Sequence, residues 1–172
     1  ARRVDHDNSS GASAVAFERL GVYAFVALET SRQVAVVDAH RGFELFKFGV
    51  GRAPQGLALS ADGKRLYVNN FMDRTLGIYD LTEFLATGIA DVPRIASKVS
   101  HSAEKLSAEV LQGKKLFYDA QDTRLARDSY MSCASCHNDG GQDGRTWDLT
   151  GFGEGLRNTV NLRGRAGAQG AL

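Results

Sequence analysis

The chain is short of most of what usually announces a function. Its 172 residues include 2 Cys, 2 Met, 1 Trp and 4 His, and 21 basic against 20 acidic residues leave a formal net charge of +1. Two cysteines cannot build the disulfide framework of a small secreted domain, nor the two cysteine pairs of the usual structural zinc site. So balanced a charge leaves no electrostatic footprint for nucleic acid or an acidic membrane surface. No apolar run approaches the length needed to span a bilayer. The first residues, Ala1-Arg2-Arg3-Val4-Asp5, lack the apolar stretch that a signal peptide needs. Glycine patterns that cradle phosphates or dinucleotides are missing. No nucleophile sits in a motif with a base, so hydrolase chemistry has no support. What remains is an ordinary globular composition, 43% hydrophobic and 24% charged, in a length that suits one domain or two small ones.

The two cysteines are placed with a purpose. They form Cys133-Ala134-Ser135-Cys136-His137, the C-x-x-C-H attachment signature of a c-type haem. On one helical turn, residues three and four apart share a face. Cys133 and Cys136 can therefore add their thiols to two vinyl groups on one haem edge, and His137 can bring an imidazole nitrogen beneath the iron. A thioredoxin-like dithiol would want a βαβ setting, whereas these residues lie in Gly-, Asp- and Asn-rich loop. A plain disulfide with an incidental histidine stays open as the bland reading. For the sixth position on iron the chain offers little. Met131 is tethered two residues before Cys133, Met72, His6 and His40 fall in the first half, and His101 lies in a polar stretch. Water, no ligand, or residues outside this chain are the expectation there.

The first half carries a repeat. Val15-Ala16-Phe17 matches Leu57-Ala58-Leu59, Phe25-Val26 matches Tyr67-Val68, and Val36-Val37-Asp38 matches Ile78-Tyr79-Asp80, so that 15 falls on 57, 26 on 68 and 38 on 80, a shift of 42 each time. Alternation in Val34–Val37 and Leu76–Tyr79 predicts half-buried strands. Ala61-Asp62-Gly63-Lys64 is a hairpin signal, and Met72–Thr75 lies between two apolar strands. Several strands in about 42 residues is the length of one propeller blade. Asp38 and Asp80 recur at one repeat position and read as turn chemistry rather than as paired catalytic acids. From 93 to 106 the repeat decays into a polar linker, with room for a final blade strand at Arg94-Ile95-Ala96. Ser107 then caps a predicted helix with Glu109 in its first turn, and Val110, Leu111, Lys114 and Phe117 at helical spacing. Gly113, mid-helix, suggests a close approach by another helix or by haem. Phe117 and Tyr118 read as core packing.

These segments resemble known families. Tyr67-Val68-Asn69-Asn70 resembles the Tyr-Val-Thr-Asn motif of the YVTN β-propellers, with Asn69 in the threonine position, and Gly51–Gly63 resembles that family's inter-blade sequence. Over about 107–172, Gly113-Lys114-Lys115-Leu116-Phe117-Tyr118-Asp119 followed by the C-x-x-C-H resembles the di-haem cytochrome c peroxidase and MauG superfamily. So do Gly140–Arg145 and Arg157–Gly164. The resemblance implies a multidomain β-plus-α chain. About two four-stranded antiparallel blades of a partial propeller would occupy 1–92, with a linker at 93–106 and a mainly helical cytochrome c domain at 107–172. Two blades cannot bury each other's faces or remove their edges, so further blades are expected outside this chain, and the haem domain is expected to be truncated.

The resemblance also implies an exported, periplasmic or cell-surface protein with one covalent haem c. Cys133, Cys136 and His137 would hold it, with His137 as the iron ligand. Arg145 and Arg157 are candidates for the haem propionates, which suit a guanidinium fork. Arg163 reads as solvated, and Trp147 as a loop anchor. Three functions follow as expectations. The first is single-electron transfer to a redox partner, protein or small molecule, with the propeller recognising or placing a protein partner. The second is a share in peroxidase-like or MauG-like oxidation, which takes a second haem and a distal acid–base group. The third is a non-catalytic propeller binding module.

Overall fold

The computed structural model describes residues 11–101, 103–126 and 128–164. Two four-stranded antiparallel sheets come first, each a simple meander. The first contains β1 (Ala12–Phe17), β2 (Tyr23–Leu28), β3 (Gln33–Asp38) and β4 (Phe43–Gly49). The second contains β5 (Pro54–Leu59), β6 (Arg65–Asn70), β7 (Thr75–Asp80) and β8 (Arg94–Val99). Strand starts move from 12 to 54, from 23 to 65 and from 33 to 75, which is the shift of 42 read from the sequence. These are two neighbouring propeller blades.

Strand β8 bears out the final blade strand expected at Arg94-Ile95-Ala96 and carries it further. It starts at 94, inside the stretch expected to be linker, so the blade runs past 92 to Val99. The delay has a visible cause. Between β7 and β8 the chain inserts helix α1 (Thr82–Thr87), closed by Gly88 in the left-handed conformation at φ 76°. The buried Phe84 of α1 rests on Tyr23 and Phe46, at ring-centroid distances of 4.8 and 5.2 Å.

Period-2 patterning builds the core. Phe25, Val34 and Val36 of the first sheet face Leu66, Val68 and Tyr79 of the second, all buried, with Leu81, Phe84 and Val92 closing one end. The two blades thus do bury their facing sides, which the bare count of blades did not lead one to expect. Their other sides stay open, with Val15, Phe17, Leu45, Ile95 and Val99 exposed. At the tight turns, Gly63 takes φ 72° in the Asp62–Gly63 hairpin, and Asp62 accepts from the Lys64 N–H at 3.1 Å. Asp38 accepts from the N–H groups of His40 and Arg41, and Asp80 from Thr82, so both serve as turn residues.

The last third has few helices. Helix α2 (Ala108–Phe117) starts where Ser107 Oγ accepts the Val110 N–H at 3.3 Å. Helix α3 (Cys133–Cys136) is one turn, and a small hairpin joins β9 (Thr146–Asp148) to β10 (Leu156–Asn158). The rest is turn and loop, so "mainly helical" overstates it. The close approach expected at Gly113 is absent among the described residues: a Cβ built there meets nothing within 4 Å.

This region docks on one rim of the blades. Tyr118 and Ala134 pack with Ala53 and Met72, both buried, flanked by Phe71 and Phe117. The Ala120 N–H donates to the Thr30 carbonyl at 2.8 Å, and Gln121 Nε2 donates to the Ser31 carbonyl at 3.1 Å. Asp119 forms an ion pair with Arg32 and lies 3.7 Å from Arg52.

Candidate functional site

Helix α3 carries the signature, and local chemistry explains why so short a helix holds. Ser135 Oγ accepts the Ser132 N–H at 3.0 Å, and the Ser135 N–H returns to the Ser132 carbonyl at 3.0 Å. The His137 N–H closes the turn on the Cys133 carbonyl at 2.9 Å. Between the cysteines, Ala134 is buried against Tyr118 and Met72. The blade rim is therefore the back wall of the motif. From the same rim, Thr30 Oγ1 donates to the Tyr130 carbonyl at 3.2 Å, just ahead of the helix.

The front of the motif opens on a groove of about 380 Å³. Cys136 and His137 line one side. Met131, Trp147, Leu149 and Val160 supply apolar walls, and Arg157 also borders it. Cys133 stands exposed at the start of the helix, and neither cysteine is in a disulfide. Burial raises the Cys136 thiol above its ordinary value; Asp143 adds to the effect and Arg145 opposes it. Cys136 is therefore a thiol, not a thiolate, at neutral pH.

His137 is oriented by the backbone. Its Nδ1 lies 3.3 Å from the Gly141 carbonyl. A carbonyl can only accept, so Nδ1 carries the proton and Nε2 keeps its lone pair. A hydrogen bond of this kind, made by the ring nitrogen that faces away from the metal, is what fixes a ligating imidazole. Asp139, two residues on, takes a left-handed backbone (φ 49°, ψ 32°). Its carboxylate accepts the Tyr118 hydroxyl at 3.0 Å, and its carbonyl accepts Arg163 Nε at 2.9 Å. Burial first, and then the bond to Asp139, push the Tyr118 hydroxyl up to about 12.

The remaining candidates divide. Arg157 borders the groove, and its guanidinium donates to Glu154 at 3.1 Å. Arg145 is exposed and does not line the groove, although its charge is felt at Cys136. Trp147 both lines the groove and anchors its loop, donating Nε1–H to Asp143 at 2.9 Å. Met131 lies in the groove wall on the same side of the chain as the motif. Met72 is buried behind Ala134, away from the groove. His40 and His101 are exposed, and His6 falls outside the described residues. Arg163 is exposed, as expected, and its Nε–H also ties the loop after His137 by donating to the Asp139 carbonyl. No sequence signal marks that role, because its acceptor is a backbone carbonyl.

The donor set fits a covalently held haem: two unjoined thiols on one turn, a histidine with Nε2 left over, and an apolar groove before them. A bare metal ion fits poorly, since among the described residues no cluster of three or more His, Cys, Asp or Glu could hold one. No helix among those residues is long and apolar enough to cross a membrane.

Comparison with known proteins agrees on the last third. Residues 107–169 match the family model described as di-haem cytochrome c peroxidase. No curated protein matches the chain. Among solved structures, hydrazine synthase of Kuenenia stuttgartiensis is similar at 20% identity and a TM-score of 0.45, over 52% of this chain and 23% of that one. The periplasmic gluconolactonase PpgL of Pseudomonas aeruginosa gives 26% and 0.45, over 56% and 28%. The β-propeller domain of Cps50 (Swd1) from Myceliophteria thermophila gives 16% and 0.47, over 52% and 29%. The chain thus spans less than a third of the length of each of these.

Proposed function

We propose that this chain is a c-type haem redox protein, in which Cys133 and Cys136 hold one haem covalently, His137 ligates its iron, and the group exchanges single electrons with a redox partner. One observation carries the reading. His137 turns Nδ1 to the Gly141 carbonyl beside two unjoined cysteines, at the head of an apolar groove. The match of residues 107–169 to a haem-peroxidase family supports a haem redox role in general.

Each residue has a task. Cys133 and Cys136 would hold the haem through two thioethers, each thiol adding S–H across one vinyl C=C bond with nothing released. Gly141 holds His137 in the tautomer that leaves Nε2 as an electron-pair donor. Trp147, Leu149, Val160 and Met131 keep water from one wall of the groove, which lowers the local dielectric and tunes potential. Arg157, at the border, is the side chain suited to a propionate. When bound, the haem supplies a one-electron couple at its iron. The propeller blades serve recognition and placement, and the protein works in the periplasm or at the cell surface, where haem of this type is attached in the family it resembles.

A second reading has its own support, because the matching family is one of peroxidases. In it the chain contributes one haem site to a two-haem enzyme that reduces peroxide. Spectroelectrochemical titration of the haem-loaded chain decides between them. Electron transfer gives a single one-electron Nernst transition and no catalytic loss of added hydrogen peroxide. Multiple turnovers of peroxide with a reduced donor would replace the first reading by the second.

A further inference from the structure

We infer that Arg163 and Tyr118 are positioning residues for His137, acting from two sides through Asp139. The proposal rests on the haem reading for its purpose, but its geometry stands without haem. Asp139 has a left-handed backbone, a conformation open to aspartate at modest cost and one that neighbouring contacts can hold. Two contacts do so here. The buried Tyr118 hydroxyl donates to its carboxylate at 3.0 Å, and Arg163 Nε donates to its carbonyl at 2.9 Å. A third tie runs from the Leu162 N–H to the Gly140 carbonyl at 2.9 Å. Arg163 also lies over the next glycine: a Cβ built on Gly141 would stand 3.7 Å from its guanidinium carbon.

These ties fix the turn Asn138–Gly141, whose last carbonyl receives His137 Nδ1. The turn has two backbone bonds of its own, Gly140 N–H to the His137 carbonyl at 2.9 Å and Gly141 N–H to the Asn138 carbonyl at 2.8 Å, and no strand or long helix beside it, so these outside ties add to a short hydrogen-bonded turn. Tyr118 adds a link of another kind. Its ring packs on Met72 and Ala53 of the blade rim, so the turn is referenced to the propeller as well as to its own loop. The arrangement sets which imidazole nitrogen is free, and thereby how strongly the histidine donates to a metal.

The test reads the tautomer directly. In the full chain without haem, long-range proton–nitrogen NMR gives the ratio of the two neutral forms of His137. The Nδ1–H form should predominate. Arg163→Ala and Tyr118→Phe should each lower that ratio at least about twofold, the low end for one lost hydrogen bond. Both together should lower it further, and Arg163→Lys should restore part of it. Arg163 is exposed, so its variants keep the fold even if Tyr118→Phe does not. In the loaded chain the same variants should raise the reduction potential, because a ring that no longer donates its Nδ1–H is a poorer ligand. An unchanged tautomer ratio in Arg163→Ala would overturn the proposal. That result is distinct from failure of the haem reading, which would show as no haem retained whatever the ratio.

Discussion

Arg32 and Arg74 hold the same place in successive blades, and each takes a left-handed backbone, with φ of 55° and 56°. Both reach with their guanidinium to residues that follow β8. Arg32 pairs with Asp119, and Arg74 Nε with Glu104 at 2.9 Å. The hydrogen bond from Arg74, helped by the Leu106 N–H, holds the Glu104 carboxyl at about 2, well below its ordinary 4.5. A depressed carboxylate contributes stability that is fully present above its unfolded-state value and is lost as pH falls through its folded one. The stability that the Arg74–Glu104 pair contributes is therefore complete above pH 4.5 and falls away as the pH drops through about 2, where half of the carboxyl is protonated. Following the Glu104 side-chain carboxyl by NMR should place its midpoint near 2, and Arg74→Gln should move it back toward 4.5. A wild-type midpoint near 4.5 would mean that the two side chains do not pair in solution.

Helix α1 is the element that breaks the repeat. It inserts between β7 and β8 and is kept by one aromatic anchor, Phe84, wedged against Tyr23 and Phe46. Phe84→Ala should cost about 3–5 kcal/mol, the usual range for emptying a buried phenylalanine site. Chemical denaturation would show it as a fall in midpoint, and an unchanged midpoint would mean that α1 is not part of the blade core. The same insertion explains what the sequence could and could not reveal. Three strands per blade were legible, because the apolar matches recur at a fixed shift of 42 and Asp62–Gly63 marks a hairpin turn. The fourth was only half legible. Strand β8 starts late, and Arg94–Val99 is exposed along nearly its whole length, so no apolar rhythm announces it. Helix α2 was legible from Ser107 and its spacing. The motif Cys133–His137 was legible because covalent attachment dictates residue type and spacing together. The turn after it was not, since Gly141 and Asp139 accept through backbone carbonyls that any residue could supply.

At the scale of the whole molecule, the blades and the C-terminal region meet on a seam with both apolar and charged contacts. Met72 and Ala53 pack behind the attachment helix, while Asp119 gathers Arg32 and Arg52. The seam gives the propeller a structural part in the site, as the wall on which Ala134 and Tyr118 rest. It also gives a reason for joining the two parts in one chain: a one-turn helix cannot fix its own position. The proposed function rests on a haem held at Cys133, Cys136 and His137, and one measurement bears on that most directly. The chain would be exported in a host with haem-maturation machinery, then examined by pyridine haemochrome and intact mass after acid–acetone extraction. One haem should stay with the chain, and it should be lost when Cys133 and Cys136 are both replaced by alanine. A folded, exported chain with both thiols reduced and no haem attached would contradict the central claim.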